Sequence, residues 1–200
     1  MKIAVMANDQ QWEELISSVP TDSAIRVSSV EEGTGEIDAF LIIQDIIPFD
    51  MSITSKPVLL NAVCHTLKAM NAPSNVVRFN GWNSFISGNT WELAGQVNNL
   101  VEQILTALGK QMIAVPDEPG FISARIISMI INEAYFALED KVSTKKEIDL
   151  AMKLGTNYPY GPFEWASIIG VKDVFGLLET LSMHDNRYLP AHLLKQETTQ

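Results

Sequence analysis

Three histidines and one cysteine limit the nucleophilic and metal chemistry open to this chain of 200 residues. Cys64 and His65 are adjacent, but neighbours on a helix point about 100° apart, so a thiol–imidazole pair is not expected. A buried cysteine beside a surface histidine is the simpler reading. His184 and Asp185 stand together where a helix is expected to end, a place that suits histidine against the carbonyl end of the dipole. The histidines and the cysteine are scattered without metal-ligand spacing, and no metal is expected. Trp82, Phe85, Trp91, Tyr158, Tyr160 and Trp165 are candidates to line a cleft for an acyl or adenine group, or to serve as ordinary core and interface aromatics.

One further stretch has the order of a binding element. The chain opens "MKIAVMANDQQWEEL": a short apolar run, a turn, then a helical pattern. A dinucleotide-binding βαβ unit begins this way, with glycines in the turn so that backbone meets pyrophosphate. This turn holds no glycine.

The elements around these residues follow from patterning. "KIAVM", "AIRVSS", "IDAFLII", "KPVLLNAV", "NVVRFNG" and "QMIAVP" read as strands, the third apolar throughout as in a parallel strand buried on both faces. Helical patterns cover "DQQWEELISSV", the region around "CHTLKAM", and roughly 91–108, the last closed by Gly109. A turn-rich "EEGTG" follows the second strand. This alternation predicts a doubly wound α/β sheet. After Pro116 the pattern becomes entirely helical. Phe121 to Leu138 reads as one long helix buried nearly all round, with Ile126, Ile127, Ile130 and Ile131 on its faces. Thr144 and Glu147 form a capping box, Gly155 and Gly170 are helix stops, Pro162 starts a helix, and another runs from about Val171 to Met183. The expected domains are 1–116 and 117–200.

Composition bounds the partners. A net charge of −10 and a pI near 4.7 argue against nucleic acid and anionic membranes. The longest apolar run, "ISMII", is far too short to span a bilayer. One cysteine excludes an internal disulfide and, with no signal peptide evident, suggests a soluble cytoplasmic protein.

The helical half carries a resemblance. "PGFI…R", "NEA", "DLAMKLG" and "YPYGPFEWASIIGVKDV" stand in the order and spacing of the C-terminal domain of 3-hydroxyacyl-CoA dehydrogenases, over roughly residues 116–195. The resemblance implies an α/β Rossmann-like N-terminal domain followed by an all-α, 6-phosphogluconate-dehydrogenase-like C-terminal domain. It also implies a homodimer formed through the C-terminal helices, NAD as cofactor and an acyl-CoA as ligand. In that family a histidine base, polarised by a glutamate, takes the hydroxyl proton, while serine and asparagine hold the substrate oxygen.

Laid on the family's pattern, the α/β half departs from it. The glycine positions become Ala7, Asp9 and Trp12: Asp9 brings negative charge to the pyrophosphate's place, and Trp12 fills space needed for close packing of helix on strand. Ser28 and Ser29 stand where an acid for the ribose is expected about 20 residues on, with Glu31 and Glu32 just after. The base's place is taken by Asn83, which has no titratable group near neutral pH. Glu92, nine residues later, matches the glutamate only across a small deletion. Ala124, beside Ser123, replaces the asparagine at the first C-terminal helix, and the serine's place falls near Val63 and Cys64, after Asn61. Between the second and third strands there is space only for a turn, where the family carries a helical insertion. The chain stops after "YLPAHLLKQ", before the family's glycine- and tyrosine-rich tail.

The expectation is therefore a member of this family with weak or absent NAD-dependent turnover. Asn61, Cys64, Asn83 and Ser123 are the cleft candidates, and NAD is not expected to be held. An enzymatic reading stays open through Glu92 or Ser123 in the base's role. The alternatives are a non-catalytic acyl-CoA-binding protein and a structural dimerisation partner.

Overall fold

The computed structural model describes residues 1–20, 22–30, 32, 35–44 and 54–199. They form two compact units, Met1–Phe121 and Ile122–Gln200.

The first unit is built on seven strands: β1 (Ile3–Met6), β2 (Ala24–Arg26), β3 (Ala39–Ile42), β4 (Val58–Asn61), β5 (Val76–Phe79), β6 (Thr90–Gly95) and β7 (Gln111–Ala114). Their order is β2-β1-β3-β4-β5-β6-β7. All neighbours are parallel except β5 and β6, which run antiparallel in the register Arg78↔Ala94 and Phe79↔Leu93. The strands β1, β3 and β5 are buried along their whole length, as their apolar runs require, while β2 at one edge is largely exposed.

Two helices, α1 (Asp9–Ile16) and α2 (Asn99–Ala107), pack on one face of the sheet. Leu15, Val101, Ile104 and Leu105 meet Ile3, Val5, Leu41, Leu59, Val77, Phe79 and Trp91 there. On the other face Ala4, Met6, Phe40, Ile42, Val58 and Val76 are covered by Val30 and by turn residues including Leu67 and Met70.

Two expected helical stretches take other forms. Residues 64–70 are turns: the Asp117 carboxylate accepts the N–H groups of Leu67 and Lys68 at 3.0 and 3.2 Å, and Asn71 follows in the left-handed region. The stretch 91–108 divides into β6 and α2. Trp91 and Leu93 point into the helix-covered core at two-residue spacing, and Gly95 sits at φ +129, which a helix does not accommodate. Asn98 then caps α2 by accepting the N–H groups of Leu100 and Val101. Gly109, at φ +67, closes α2 as expected.

The first unit continues past Pro116 because Arg78 holds the connecting segment. This arginine is fully buried in β5. It donates to Asp117 at 2.6 Å, to the Ala62 carbonyl at 2.9 Å and to the Glu118 carbonyl, and lies 4.4 Å from the Phe121 ring centroid.

The second unit comprises α3 (Ile122–Glu139), α4 (Lys145–Thr156), α5 (Pro162–Ile169), α6 (Val171–Ser182), a short 3₁₀ turn (Asn186–Tyr188) and α7 (His192–Glu197). Helix α3 packs on α5, α6 and α7. It is amphipathic and not buried all round: Ile127 and Ile131 are buried and Ile130 is half-buried, but Ile122 and Ile126 are 49% and 56% exposed. The Asn132 amide donates to the Leu189 carbonyl at 2.9 Å and accepts the Ala191 N–H at 2.8 Å, fixing the approach to α7. The Tyr135 hydroxyl donates to Glu197 at 2.7 Å, and Glu197 also pairs with Lys145.

The capping box of Thr144 and Glu147 is present, Pro162 opens α5, and Gly170 closes it. Helix α4 runs through Gly155, however, and ends at Asn157 in the left-handed conformation. Asp149 fills the space beside Gly161, where a Cβ would stand 2.3 Å away. No described helix is long and apolar enough to cross a membrane.

Candidate functional site

In an open parallel sheet, ligands bind beyond the carboxyl ends of the strands, where the strand order reverses. Here the chain leaves β1 toward β2 on one side, and β3 pairs on the other. The candidate crevice therefore lies beyond the ends of β1, β3, β4 and β5, within the first unit.

The turn from β1 to α1 carries Ala7, Asn8 and Asp9. Asn8 and Gln11 make a reciprocal capping box: the Gln11 N–H donates to Asn8 Oδ1 at 2.9 Å, and the Asn8 N–H to Gln11 Oε1 at 3.0 Å. Two N–H groups at the start of α1 are thereby satisfied by the helix's own side chains. Arg26, at the end of β2, donates to the Ala7 carbonyl at 3.0 Å and to the Asp9 carboxylate at 2.7 Å. Trp12 is half-buried and packs on the core of the sheet. Following β2, the Ser28 N–H donates to the Glu32 carboxylate at 2.8 Å, so Glu32 is turned onto its own loop; Glu31 lies outside the described residues.

Amide side chains gather along the strand ends. Gln11 Nε2 and Asn61 Nδ2 both donate to the Ile43 carbonyl, at 3.4 and 2.9 Å. Asn61 Oδ1 accepts the Gly81 N–H at 3.0 Å, and a Cβ on Gly81 would stand 2.8 Å from that of Asn61, so glycine is needed for this approach. Cys64, half-buried, follows in the turn after β4, with His65 exposed beside it.

β5 ends at Phe79, so the first residue beyond it is Asn80, only 3% exposed, whose Oδ1 accepts the Trp82 N–H at 3.3 Å. Asn83 lies in the turn that follows and is half-buried. The sequence singles out Asn83; Asn80 stands nearer the strand, where the apolar run "VVRF" ends. Glu92, half-buried on β6, comes opposite Asn80 when the register Phe79↔Leu93 is continued by one step.

The loop after β5 is gripped from two sides. Glu14 of α1 accepts the N–H groups of Ser84 and Ser87 at 3.0 and 3.1 Å and the Ser87 hydroxyl at 3.0 Å. Lys110 donates to the carbonyls of Ile86, Ser87 and Gly88 and to Ser18 Oγ. Desolvation lowers the Lys110 pKa from its ordinary value, against the attraction of Glu14.

Ser123, half-buried, stands in the first turn of α3 and so belongs to the helical unit. Trp91 is core, stacked on Phe79 at 4.8 Å, whereas Tyr158 and Tyr160 meet Trp165 edge-on in the helical unit. Among the described residues no three metal-ligating side chains converge.

A dinucleotide requires close backbone approach at the first turn and free N–H groups facing the pyrophosphate. Here side chains stand at the glycine positions, two N–H groups are used by the capping box, and a carboxylate–guanidinium pair spans the turn. The residues present do not fit that group.

The sequence pattern of the 3-hydroxyacyl-CoA dehydrogenase C-terminal domain matches residues 120–198. A 3-hydroxyadipyl-CoA dehydrogenase of Escherichia coli is 44% identical over 90 residues, which are 44% of this chain and 19% of the relative. A 3-hydroxybutyryl-CoA dehydrogenase of Clostridioides difficile is 27% identical over 175 residues, 84% of this chain and 62% of the relative. The chain thus spans less than two thirds of either relative. The crystal structure of an (S)-3-hydroxybutyryl-CoA dehydrogenase of Ralstonia eutropha shares the fold, with a TM-score of 0.72 at 17% identity over 99% of this chain and 93% of that one.

Proposed function

We propose that this chain, whose residues 120–198 match the C-terminal domain of the 3-hydroxyacyl-CoA dehydrogenase family, keeps the family's fold without sustaining NAD-dependent hydride transfer. One observation carries the reading: beyond the end of β5 both Asn80 and Asn83 are carboxamides. A carboxamide donates and accepts hydrogen bonds but takes no proton near neutral pH. A dehydrogenase of a 3-hydroxyl group needs a base within hydrogen-bond reach of that proton. Glu92, beside Asn80, would have to act alone. The misfit of the first turn points the same way, since without NAD there is no hydride acceptor.

The role left to the chain is association through its helical unit, as a homodimer. Supporting it, α3 exposes Ile122, Ile126 and Phe136, and α4 exposes Leu150 and Leu154, the last by 78%. Isolated apolar side chains on a surface are ordinary; several on neighbouring turns mark a contact surface. A second reading, an acyl-CoA held without chemistry, follows from the match of residues 120–198 to the family's C-terminal domain.

Sedimentation and calorimetry separate these readings. A dimer with no heat from acetoacetyl-CoA is the expected result. Saturable binding of the thioester supports the second reading, and a monomer at micromolar concentration contradicts the first.

A further inference from the structure

We infer that the crevice at the switch between β1 and β3 is a closed internal joint, stitched by the chain's own side chains, which admits no dinucleotide. The inference rests on the reading above only for which ligand is expected there.

Three stitches cross the crevice. Arg26 ties the end of β2 to the β1–α1 turn through the Ala7 carbonyl and Asp9. The Ile43 carbonyl, one residue beyond β3, takes one amide from α1 (Gln11) and one from β4 (Asn61), whose other end holds the Gly81 N–H past β5. Glu14 of α1 holds the N–H groups of Ser84 and Ser87 in the loop after β5. Ser84 sits at φ 77, a strained conformation for serine that this carboxylate supports.

Asp9, Gln11 and Glu14 thus act as a clasp, tying one helix to the end of β2, to the residue beyond β3 and to the loop after β5, while Asn61 links β4 to the same Ile43 carbonyl. Each of these backbone groups is satisfied from within the chain. A dinucleotide entering along α1 would first have to break the central stitch and strand the Ile43 carbonyl. Missing glycines alone would leave a weakened site; the clasp leaves a structural joint.

The test combines calorimetry on the full chain, using NADH and separately ADP, with hydrogen exchange at the amides of Gln11, Gly81, Ser84 and Ser87. The expected result is no saturable heat up to millimolar ligand and exchange unchanged by either compound. Asn61→Ala should speed exchange at Gly81 at least tenfold, and Glu14→Ala should do so at Ser84 and Ser87. A micromolar dissociation constant, or exchange in the variants equal to that of the natural chain, overturns the closed joint. Binding of NADH without turnover defeats this inference alone, whereas turnover defeats the functional reading as well.

Discussion

Arg78 shows how far a single residue departs from its type. A fully buried guanidinium in a central strand is costly unless it is paired and hydrogen-bonded, and here Asp117, Ala62 and Glu118 each accept one of its N–H groups. Removing it in Arg78→Met leaves the Asp117 charge and two carbonyls behind, so stability in urea should fall by about 3–5 kcal/mol. Burial is the largest influence on Asp117 and pushes its carboxyl up. The Leu67 N–H, Arg78 and the Lys68 N–H together outweigh it and hold the pKa below the ordinary 3.8. A depressed carboxyl contributes stability that is present above its unfolded pKa and lost as pH falls through the folded one. Acid titration should therefore show Asp117→Asn losing less stability than the natural chain between pH 5 and pH 3. None of this was legible in "VVRFNG", because Asp117 and Glu118 stand 39 and 40 positions away.

At the scale of elements, what was legible was local. The capping box of α4, Pro162 at the start of α5 and the apolar strands β1 and β3 all rest on neighbours within a few residues. The segment 91–108 was not legible, since "WELAGQVNNLVEQIL" satisfies helical spacing as well as alternation. Its strand is chosen by tertiary contacts: Trp91 stacks on Phe79 and Gly95 approaches Leu67 and Val76. Trp91→Ala should cost about 3–5 kcal/mol by opening the core beneath α2, read from chemical denaturation. Gly161→Ala sets a Cβ against Asp149 at 2.3 Å, and α4 and α5 must separate to accept it. Overpacking of this kind costs about 1–3 kcal/mol. Likewise the clasp was hidden by the dispersal of its members from Ala7 to Ser87.

For the whole molecule, the division into a sheet unit and a helical unit was legible from composition and periodicity alone. The sheet unit reaches Phe121 because Arg78 anchors the segment after Pro116. The net charge of −10 opposes association at long range, and salt screens that repulsion. A dimer through the helical unit must then rest on apolar contact. Ile126→Glu with Leu154→Glu should shift sedimentation toward the monomer while leaving the far-ultraviolet spectrum intact; an unchanged dimer would remove α3 and α4 from the contact.

We propose that the fold persists where the hydride chemistry does not. Following NADH absorbance with acetoacetyl-CoA and purified chain tests it most directly. No protein-dependent loss of NADH above the background rate is expected at neutral pH. Saturable turnover that disappears in Glu92→Gln would contradict it.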